Sequence, residues 1–199
     1  MEFLFLIGTL SFTVSGYLVG VKKQFDLLGI IILALLTAIG GGIIRDMLLN
    51  RIPSLFMDAT PLWSVFAALA IAWMIRAHRI TSLWLNRLFI VADSIGLVAF
   101  SIAGARIALD FQLGSFGTIA IAFINAVGGG LIRDMLVNDV PFILHRDFYG
   151  TVAILAALGV MALDHFQTAN STGLYAVFLT GLVLRLVAHY QDFQLPRHR

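Results

Sequence analysis

The sequence predicts an all-α membrane protein with seven transmembrane helices, arranged as two inverted three-helix repeats followed by a seventh helix. Three observations lead to this fold class: the composition, the length of the apolar segments and an internal repeat. Of the 199 residues, 60% are hydrophobic and 12% are charged, and the mean hydropathy is +0.95. A water-soluble globule of this size has too little interior to hide that much apolar surface. The composition therefore indicates a lipid bilayer as the solvent.

Seven apolar segments are candidate membrane spans, since a spanning helix needs roughly 20 mostly apolar residues. The segments are 3–21, 27–49, 60–77, 88–109, 116–137, 148–163 and 172–188. The third and the sixth are short. Their continuous runs of leucine, isoleucine and alanine favour helices over the alternating strands of a transmembrane barrel.

The first three spans recur as the next three at a constant offset of 88 residues. The clearest match is GGGIIRDMLLN at 40–50, which returns as GGGLIRDMLVN at 128–138. Within a single domain, 1–199, the repeats cover about 3–78 and 88–165, and the extra helix covers about 172–188. Because three is an odd number of spans, the second copy enters the membrane from the opposite face. Transport proteins often place their substrate or permeation site between such inverted repeats; a duplication kept only for packing is the alternative.

Three consecutive glycines interrupt one helix of each repeat, a little past the middle of a ~30 Å hydrocarbon core. They are Gly40, Gly41 and Gly42 in the first copy and Gly128, Gly129 and Gly130 in the second. Each glycine weakens a helix by about 1 kcal/mol relative to alanine, and irregular backbone at this depth requires a cavity or a protein environment. We expect these helices to kink or unwind, with the glycines beside a permeation path. Close helix packing is the other interpretation, and the two can coexist.

An Arg-Asp pair follows each glycine run. The pairs are Arg45 with Asp46 and Arg133 with Asp134. Ionisable residues within spans are costly and are functional candidates, although Arg45 lies close enough to the far interface for its side chain to reach water. The presence of the pair in both repeats favours a role in gating. Because the second repeat is inverted in the membrane, the two pairs would lie near opposite ends of one central path. Asp93, whose counterpart is Phe5, is a further charged candidate, either as a helix cap or as a cavity carboxylate.

Polar residues nearer the middle of the membrane extend the candidate path. They are Thr37, Asn125, Ser11, Thr13, Ser15 and Ser101. Thr37 and Asn125 occupy equivalent positions one turn before the glycines, and Asn125 is the stronger candidate because an amide is costly to bury unpaired. Hydroxyls can merely bond back to their own helix. The chain has no cysteine, and its five histidines show no metal-ligand spacing. We therefore expect no metal site, no cofactor, no catalytic residues and no enzymatic activity.

The basic residues predict the orientation in the membrane. One side carries Lys22, Lys23, Arg76, Arg79, Arg87, Arg146, Arg197 and Arg199, and the other carries Arg51 and Arg106. By the positive-inside rule, the C-terminus is cytoplasmic and the N-terminus is outside a plasma or inner membrane. The formal charge of +2 does not suggest nucleic acid as a partner, whereas membrane lipids are expected partners.

The doubled GGG-x-x-R-D segment, set in seven predicted helices, resembles the prokaryotic trimeric intracellular cation (TRIC) channels, whose short members carry glycine-transporter-type repeat domains. The resemblance covers nearly the whole chain. It implies a homotrimer in which each subunit has its own pore between the repeats, with helices two and five kinked at the glycines. It also implies that potassium and sodium are the permeant ions.

Two functions remain open from the residues themselves. The first is a passive monovalent cation channel, in which hydroxyls, Asn125 and glycine carbonyls replace part of the hydration shell. The second is a secondary transporter of glycine or another small solute, with its site at the midplane. The inverted repeat serves both, and a structural membrane protein without a path is the third interpretation.

Overall fold

The computed structural model describes residues 2–74, 82–145, 148–191 and 193. Within these ranges the chain forms helices and no strand. In chain order the helices are α1 Glu2–Lys22, α2 Leu27–Leu48, α3 Ser54–Met57, α4 Thr60–Met74, α5 Ser82–Asp110, α6 Ser115–Leu136, α7 Phe142–His145, α8 Tyr149–His165 and α9 Ser171–Tyr190. The predicted all-helical fold is confirmed.

Five of these helices are long and apolar enough to cross a membrane: α1, α2, α5, α6 and α9. Helices α4 and α8 are apolar but shorter, with 15 and 17 residues. The length criterion therefore identifies five of the seven predicted spans. Helix α5 begins at Ser82, six residues before the predicted start of the fourth span.

The two halves of the chain fold alike at the offset of 88 residues. Helices α2 and α6 have the same length and corresponding bounds, and the short helices α3 and α7 follow them at corresponding places. Both copies leave the long helix through an asparagine in the left-handed region, Asn50 with φ 51° and Asn138 with φ 55°. Asparagine tolerates this conformation better than most residues and commonly ends a helix.

Side chains cap several helices at their first turn. Asp26 accepts a hydrogen bond from the Gly29 N–H at the start of α2, and Asn170 does the same for α9. Before α4, Asp58 accepts hydrogen bonds from the N–H and the hydroxyl of Thr60. These two bonds hold the pKa of Asp58 below its usual range.

Helices α1, α2, α5 and α6 form the centre of the bundle, while α4 packs on α1 and α2, and α8 packs on α5 and α6. Helix α9 packs on α5 and α8, so it covers the second half of the chain. Of the basic residues that predict the orientation, five lie outside the described residues. They are Arg76, Arg79, Arg146, Arg197 and Arg199.

Candidate permeation site at the crossing of α2 and α6

The middle glycine of each run allows α2 and α6 to touch backbone to backbone as they run antiparallel. A Cβ on Gly41 would overlap the carbonyl oxygen of Asn125, and a Cβ on Gly129 would overlap that of Thr37. Each contact is the equivalent of the other, because Thr37 and Asn125 are 88 residues apart. The glycines therefore serve the close approach of the two helices.

The unwound backbone that the glycine runs predict is not found. Helix α2 is continuous through Gly40, Gly41 and Gly42, and α6 is continuous through Gly128, Gly129 and Gly130. None of these glycines has a positive φ. The physical reason is that the packing of the two helices offsets the low intrinsic helix propensity of glycine.

The third glycine of each run leaves room for the arginine three residues later. The nearest atom to a Cβ on Gly42 would be Nη2 of Arg45 at 3.7 Å, and a Cβ on Gly130 would lie 3.6 Å from Nη2 of Arg133. Residues three apart share a helix face, so each guanidinium folds back over a surface without a side chain. This explains the spacing of the GGG-x-x-R motif.

The first Arg-Asp pair is buried and closed by hydrogen bonds. Arg45, 1% exposed, donates from Nε to Asp46 Oδ1 at 2.7 Å and from Nη1 to the Asn125 side-chain oxygen at 3.3 Å. Asp46 also binds Arg51 at 2.8 Å and accepts the Ser54 N–H at 2.8 Å. The Arg45 side chain thus points into the protein and does not reach towards the interface.

The second pair forms a larger cluster, which we call the latch: Arg133, Asp134, Asp93 and Ser15. Arg133 donates from Nε to Asp134 at 2.8 Å, and its Nη1 binds both Asp93 and Ser15. Asp134 accepts the N–H of Phe142 at 2.7 Å, as Asp46 accepts that of Ser54. The latch ties α6 to α5 and α1, and a buried ion pair of this kind is costly to break.

Asp93 distinguishes the two ends of the candidate path. It lies about three turns inside α5, since that helix begins at Ser82, and it is 1% exposed. It is therefore the partner of a buried arginine and not a helix cap. Its counterpart Phe5 packs edge-on against the ring of Phe100, 5.7 Å between centroids, so the first pair has no second carboxylate.

The predicted mid-membrane polar residues have different partners. The Asn125 amide donates to the Phe100 carbonyl at 2.6 Å and thereby joins α6 to α5. Ser101 donates to the Ala153 carbonyl of α8 at 2.6 Å, whereas Thr37 bonds back to Leu33 of its own helix at 2.6 Å. Ser11 is half-buried. Of these four, Asn125 reaches an Arg-Asp pair; Ser15 reaches the other pair, within the latch.

A cavity of about 660 Å³ opens beside the latch, at the C-terminal ends of α1, α6 and α9. We call it the vestibule; its polar lining consists of Lys22, Lys23, Asn86, Asp134, Asp139 and His189. A second, much smaller cavity of about 20 Å³ lies in the first half of the chain, beside Gly42, Asp46 and Pro61. The vestibule therefore reaches the latch, because Asp134 lines the cavity and belongs to that cluster.

Two bonds cross the rim of the vestibule. Lys22 donates to the Asn86 side chain at 3.2 Å, and Lys23 pairs with Asp139 at 2.6 Å. At the other end of the bundle, the positions equivalent to Lys23 and Asp139 are Phe111 and Arg51, and Arg51 lies over the Phe111 ring at 5.7 Å. The same contact is thus an ion pair at one end and a cation–π contact at the other.

The Lys23–Asp139 pair should contribute little to stability. Its side chains are 32% and 51% exposed, so solvent and salt screen the attraction. We expect Asp139→Asn to lower the free energy of unfolding by less than about 1 kcal/mol. Thermal unfolding in detergent at low and high ionic strength measures this, and a difference between the variant and the parent that persists in high salt would contradict it.

Several residues of the site were not among the sequence-predicted ones. They include the rings of Phe89, Phe142 and Tyr149, which surround the latch. Ser15, a predicted polar residue of the first span, binds Arg133. Arg185 of α9 is also buried, 1% exposed, against two of these rings. A charge inside the apolar segment 172–188 was the signal that could have identified Arg185.

Buried charge pairs between apolar helices, repeated in two matching halves, define a helical multi-pass membrane protein. The family model described as Glycine transporter matches residues 2–78 and 90–165, and the chain belongs to this family, the TRIC family. A UPF0126 membrane protein of Deinococcus radiodurans is 38% identical, covering 100% of this chain and 92% of the relative.

Two solved structures resemble the whole chain. A TRIC cation channel is 35% identical with a TM-score of 0.84, covering 100% of this chain and 97% of that chain. The TRIC trimeric intracellular cation channel orthologue from Rhodobacter sphaeroides is 31% identical with a TM-score of 0.88, covering 96% of this chain and 98% of that chain. These similar structures are channels and not enzymes.

Proposed function

We propose that the chain forms a monovalent cation channel, with a path for potassium and sodium between the two inverted repeats of each subunit. The observation that carries the proposal is the similarity to solved TRIC cation channels over the full chain. The antiparallel crossing of α2 and α6, flanked by two buried Arg-Asp pairs, supports the location of the path.

In this proposal all seven apolar helices cross the membrane. Helices α4 and α8 would rise about 22 and 26 Å, which approaches a ~30 Å core. They occupy corresponding places in the two halves, which supports the same role for both. The N-terminus lies outside and the C-terminus in the cytoplasm, so the vestibule opens to the cytoplasm.

Three subunits form the assembly in our proposal. The support is the Rhodobacter sphaeroides relative, which is described as trimeric. Membrane lipids surround the exposed apolar side chains of the outer helices, among them Trp63 and Phe66 of α4. Native mass spectrometry of the protein in detergent would test the number of subunits.

The described conformation corresponds to a closed channel. Cation passage requires the latch to release Arg133 from Asp93 and Asp134, and requires Arg45 to leave its place between Asp46 and Asn125. The hydroxyls of Ser11, Thr37 and Ser101 and the Asn125 amide are then the polar groups beside the path. The glycines keep α2 and α6 close enough for both pairs to border one narrow passage.

Reconstitution into planar bilayers tests the function. We expect stepwise unitary currents in symmetric potassium chloride, and similar currents when sodium replaces potassium. With a gradient of potassium chloride across the bilayer, the reversal potential should approach the potassium value. A reversal potential near that of chloride would contradict a cation channel.

The description of the family as a glycine transporter favours one other function, secondary transport of glycine or another small solute. The two functions differ in a direct measurement. Proteoliposomes that accumulate labelled glycine in a saturable way, without single-channel steps in bilayers, would favour the transporter. Currents that persist without any solute gradient would favour the channel.

A further inference from the structure

Arg185 is a buried cation that the proposed path does not use. It belongs to α9, which lies outside both repeats, and its side chain is 1% exposed. Its guanidinium lies over the ring of Tyr149 at 5.0 Å and over the ring of Phe142 at 5.6 Å. A buried charge within an apolar helix is expensive and is a candidate functional residue.

The two rings under Arg185 also belong to the surroundings of the latch. Phe142 contacts Tyr149 and Phe89 edge-on, with centroids 5.4 and 5.9 Å apart, and its backbone N–H binds Asp134. Phe89 lies under the Arg133 guanidinium at 4.8 Å. The three rings Phe89, Phe142 and Tyr149 therefore form one aromatic layer, which separates Arg185 of α9 from Arg133 of the latch.

The Tyr149 ring also reaches the backbone that carries the latch. Its hydroxyl oxygen is 3.3 Å from the place that a Cβ on Gly130 would occupy, three residues before Arg133. Movement of α6 at the latch would therefore push against this ring. Because protein interiors are close-packed, fixing the ring also restrains α6.

The first half of the chain builds its Arg-Asp pair without this layer. The positions equivalent to Tyr149 and Phe142 are Pro61 and Ser54, and Phe5 stands in the place of Asp93. Helix α9 packs on α5 and α8, in the second half. The helix that carries the first glycine run and Arg-Asp pair therefore forms without an aromatic layer or a residue like Arg185. The layer and Arg185 occur at only one of the two Arg-Asp pairs among the described residues.

We propose that Arg185 is a positioning residue of the latch: it fixes the rings of Tyr149 and Phe142, and through them it holds Arg133 in the closed position. The expected change in open probability rests on the proposed channel function. The expected restraint on the Arg133 side chain does not. The seventh helix thereby controls one end of the path without lining it. Arginine suits this place because its planar guanidinium stacks on aromatic faces and is more weakly hydrated than an ammonium group.

The electrical test compares Arg185→Met with the parent channel in bilayers. We expect the open probability at zero voltage to rise about tenfold, the size of effect expected for loss of a desolvated cation–π contact. The unitary conductance should stay the same, because Arg185 does not border the path. Val183→Met, a change at a position of the same helix that is 59% exposed, serves as the control and should leave both quantities unchanged.

The structural test measures the rate of thiol modification and does not depend on a current. The chain has no cysteine, so Ser94→Cys supplies a single thiol, one turn deeper in α5 than Ile90 of the vestibule lining. Ser94 is 1% exposed, and a charged, membrane-impermeant thiol reagent should modify a cysteine there slowly. We expect Arg185→Met in this background to raise the modification rate about tenfold, and Val183→Met to leave it unchanged.

The outcomes separate the two proposals. A raised modification rate without any current in the parent protein would support the positioning role and overturn the channel. Currents in the parent, with neither open probability nor modification rate changed by Arg185→Met, would overturn the positioning role alone. If Arg185→Met does not fold, Arg185→Lys keeps the charge but loses the planar stack; an unchanged modification rate in that variant would also overturn it.

Discussion

Replacing Gly129 with alanine should destabilise the protein more than any other single methyl group added to the glycine runs. The new Cβ would overlap the carbonyl oxygen of Thr37, which is backbone of α2 and cannot move without displacing that helix. Overpacking typically costs about 1–3 kcal/mol and occasionally more, and we expect a value near the top of that range because the overlapping atom is backbone. Gly41→Ala should have a similar effect, because its Cβ would overlap the Asn125 carbonyl oxygen.

Thermal unfolding of the detergent-solubilised protein measures this effect, and size-exclusion chromatography reports loss of the assembled form. The matched control is Gly42→Ala, one residue away in the same run, where the nearest atom is 3.7 Å from the new Cβ. There the better helix propensity of alanine should leave stability equal to that of the parent or raise it by up to about 1 kcal/mol. Equal melting temperatures for Gly129→Ala and Gly42→Ala would refute the close approach of α2 and α6.

Removing the Asp93 carboxylate should have the second large effect. Asp93→Leu leaves Arg133 buried with one carboxylate in place of two, and breaking a buried ion pair costs about 3–5 kcal/mol. The double variant Asp93→Leu with Arg133→Met removes both charges but leaves Asp134 with the Phe142 N–H as its partner, so it should recover only part of the lost stability. The first half of the chain already carries phenylalanine at the equivalent position, Phe5, which indicates that the fold accepts an apolar side chain there.

Unfolding of the two single variants and of the double variant yields the coupling energy between Asp93 and Arg133. Asp110→Asn is the control, because this aspartate of the same helix is 66% exposed and should change stability little. Additive effects in the double variant would mean that the two residues do not stabilise the folded state as a pair. In bilayers Asp93→Leu should raise the open probability, since the latch then holds α6 to α5 less tightly.

Apolar length and the offset of 88 residues were sufficient to predict the helical fold and the correspondence of its two halves. Their success has a physical basis, because every backbone polar group in a bilayer must be satisfied internally and continuous apolar runs can do so only as helices. Apolar length is least decisive for helices α4 and α8, because their 15 and 17 residues are fewer than the roughly 20 that a spanning helix needs.

The glycine runs were harder to interpret from the sequence. Helix propensity describes an isolated helix, and on that basis three glycines predict an irregular segment. The stabilising contacts come from the opposite helix, where the Thr37 and Asn125 carbonyls lie against Gly129 and Gly41. No local pattern in α2 reveals which surface it will meet.

The partners of the charged residues could not be predicted from the sequence either. Arg133 lies 40 residues from Asp93 and 118 residues from Ser15, and both contacts arise only when α1, α5 and α6 assemble. The repeat itself was misleading here, because it pairs Asp93 with Phe5 and so suggests no counterpart for the carboxylate. Residues that break an internal symmetry are the ones that a repeat-based prediction describes least well.

The crossing of α2 and α6 has the pattern of an isologous interface, in which each contact occurs twice with the two partners exchanged. Gly41 meets Asn125, and the equivalent Gly129 meets the equivalent Thr37. In a dimer of identical halves, every substitution at such an interface is made twice. Joining the halves in one chain removes that constraint, so one side of a contact can change alone. Asp93 is equivalent to Phe5, and Asp139 is equivalent to Arg51. These are differences that a fused pair can acquire and a dimer of identical halves cannot, and they give the two faces of the protein unequal chemistry.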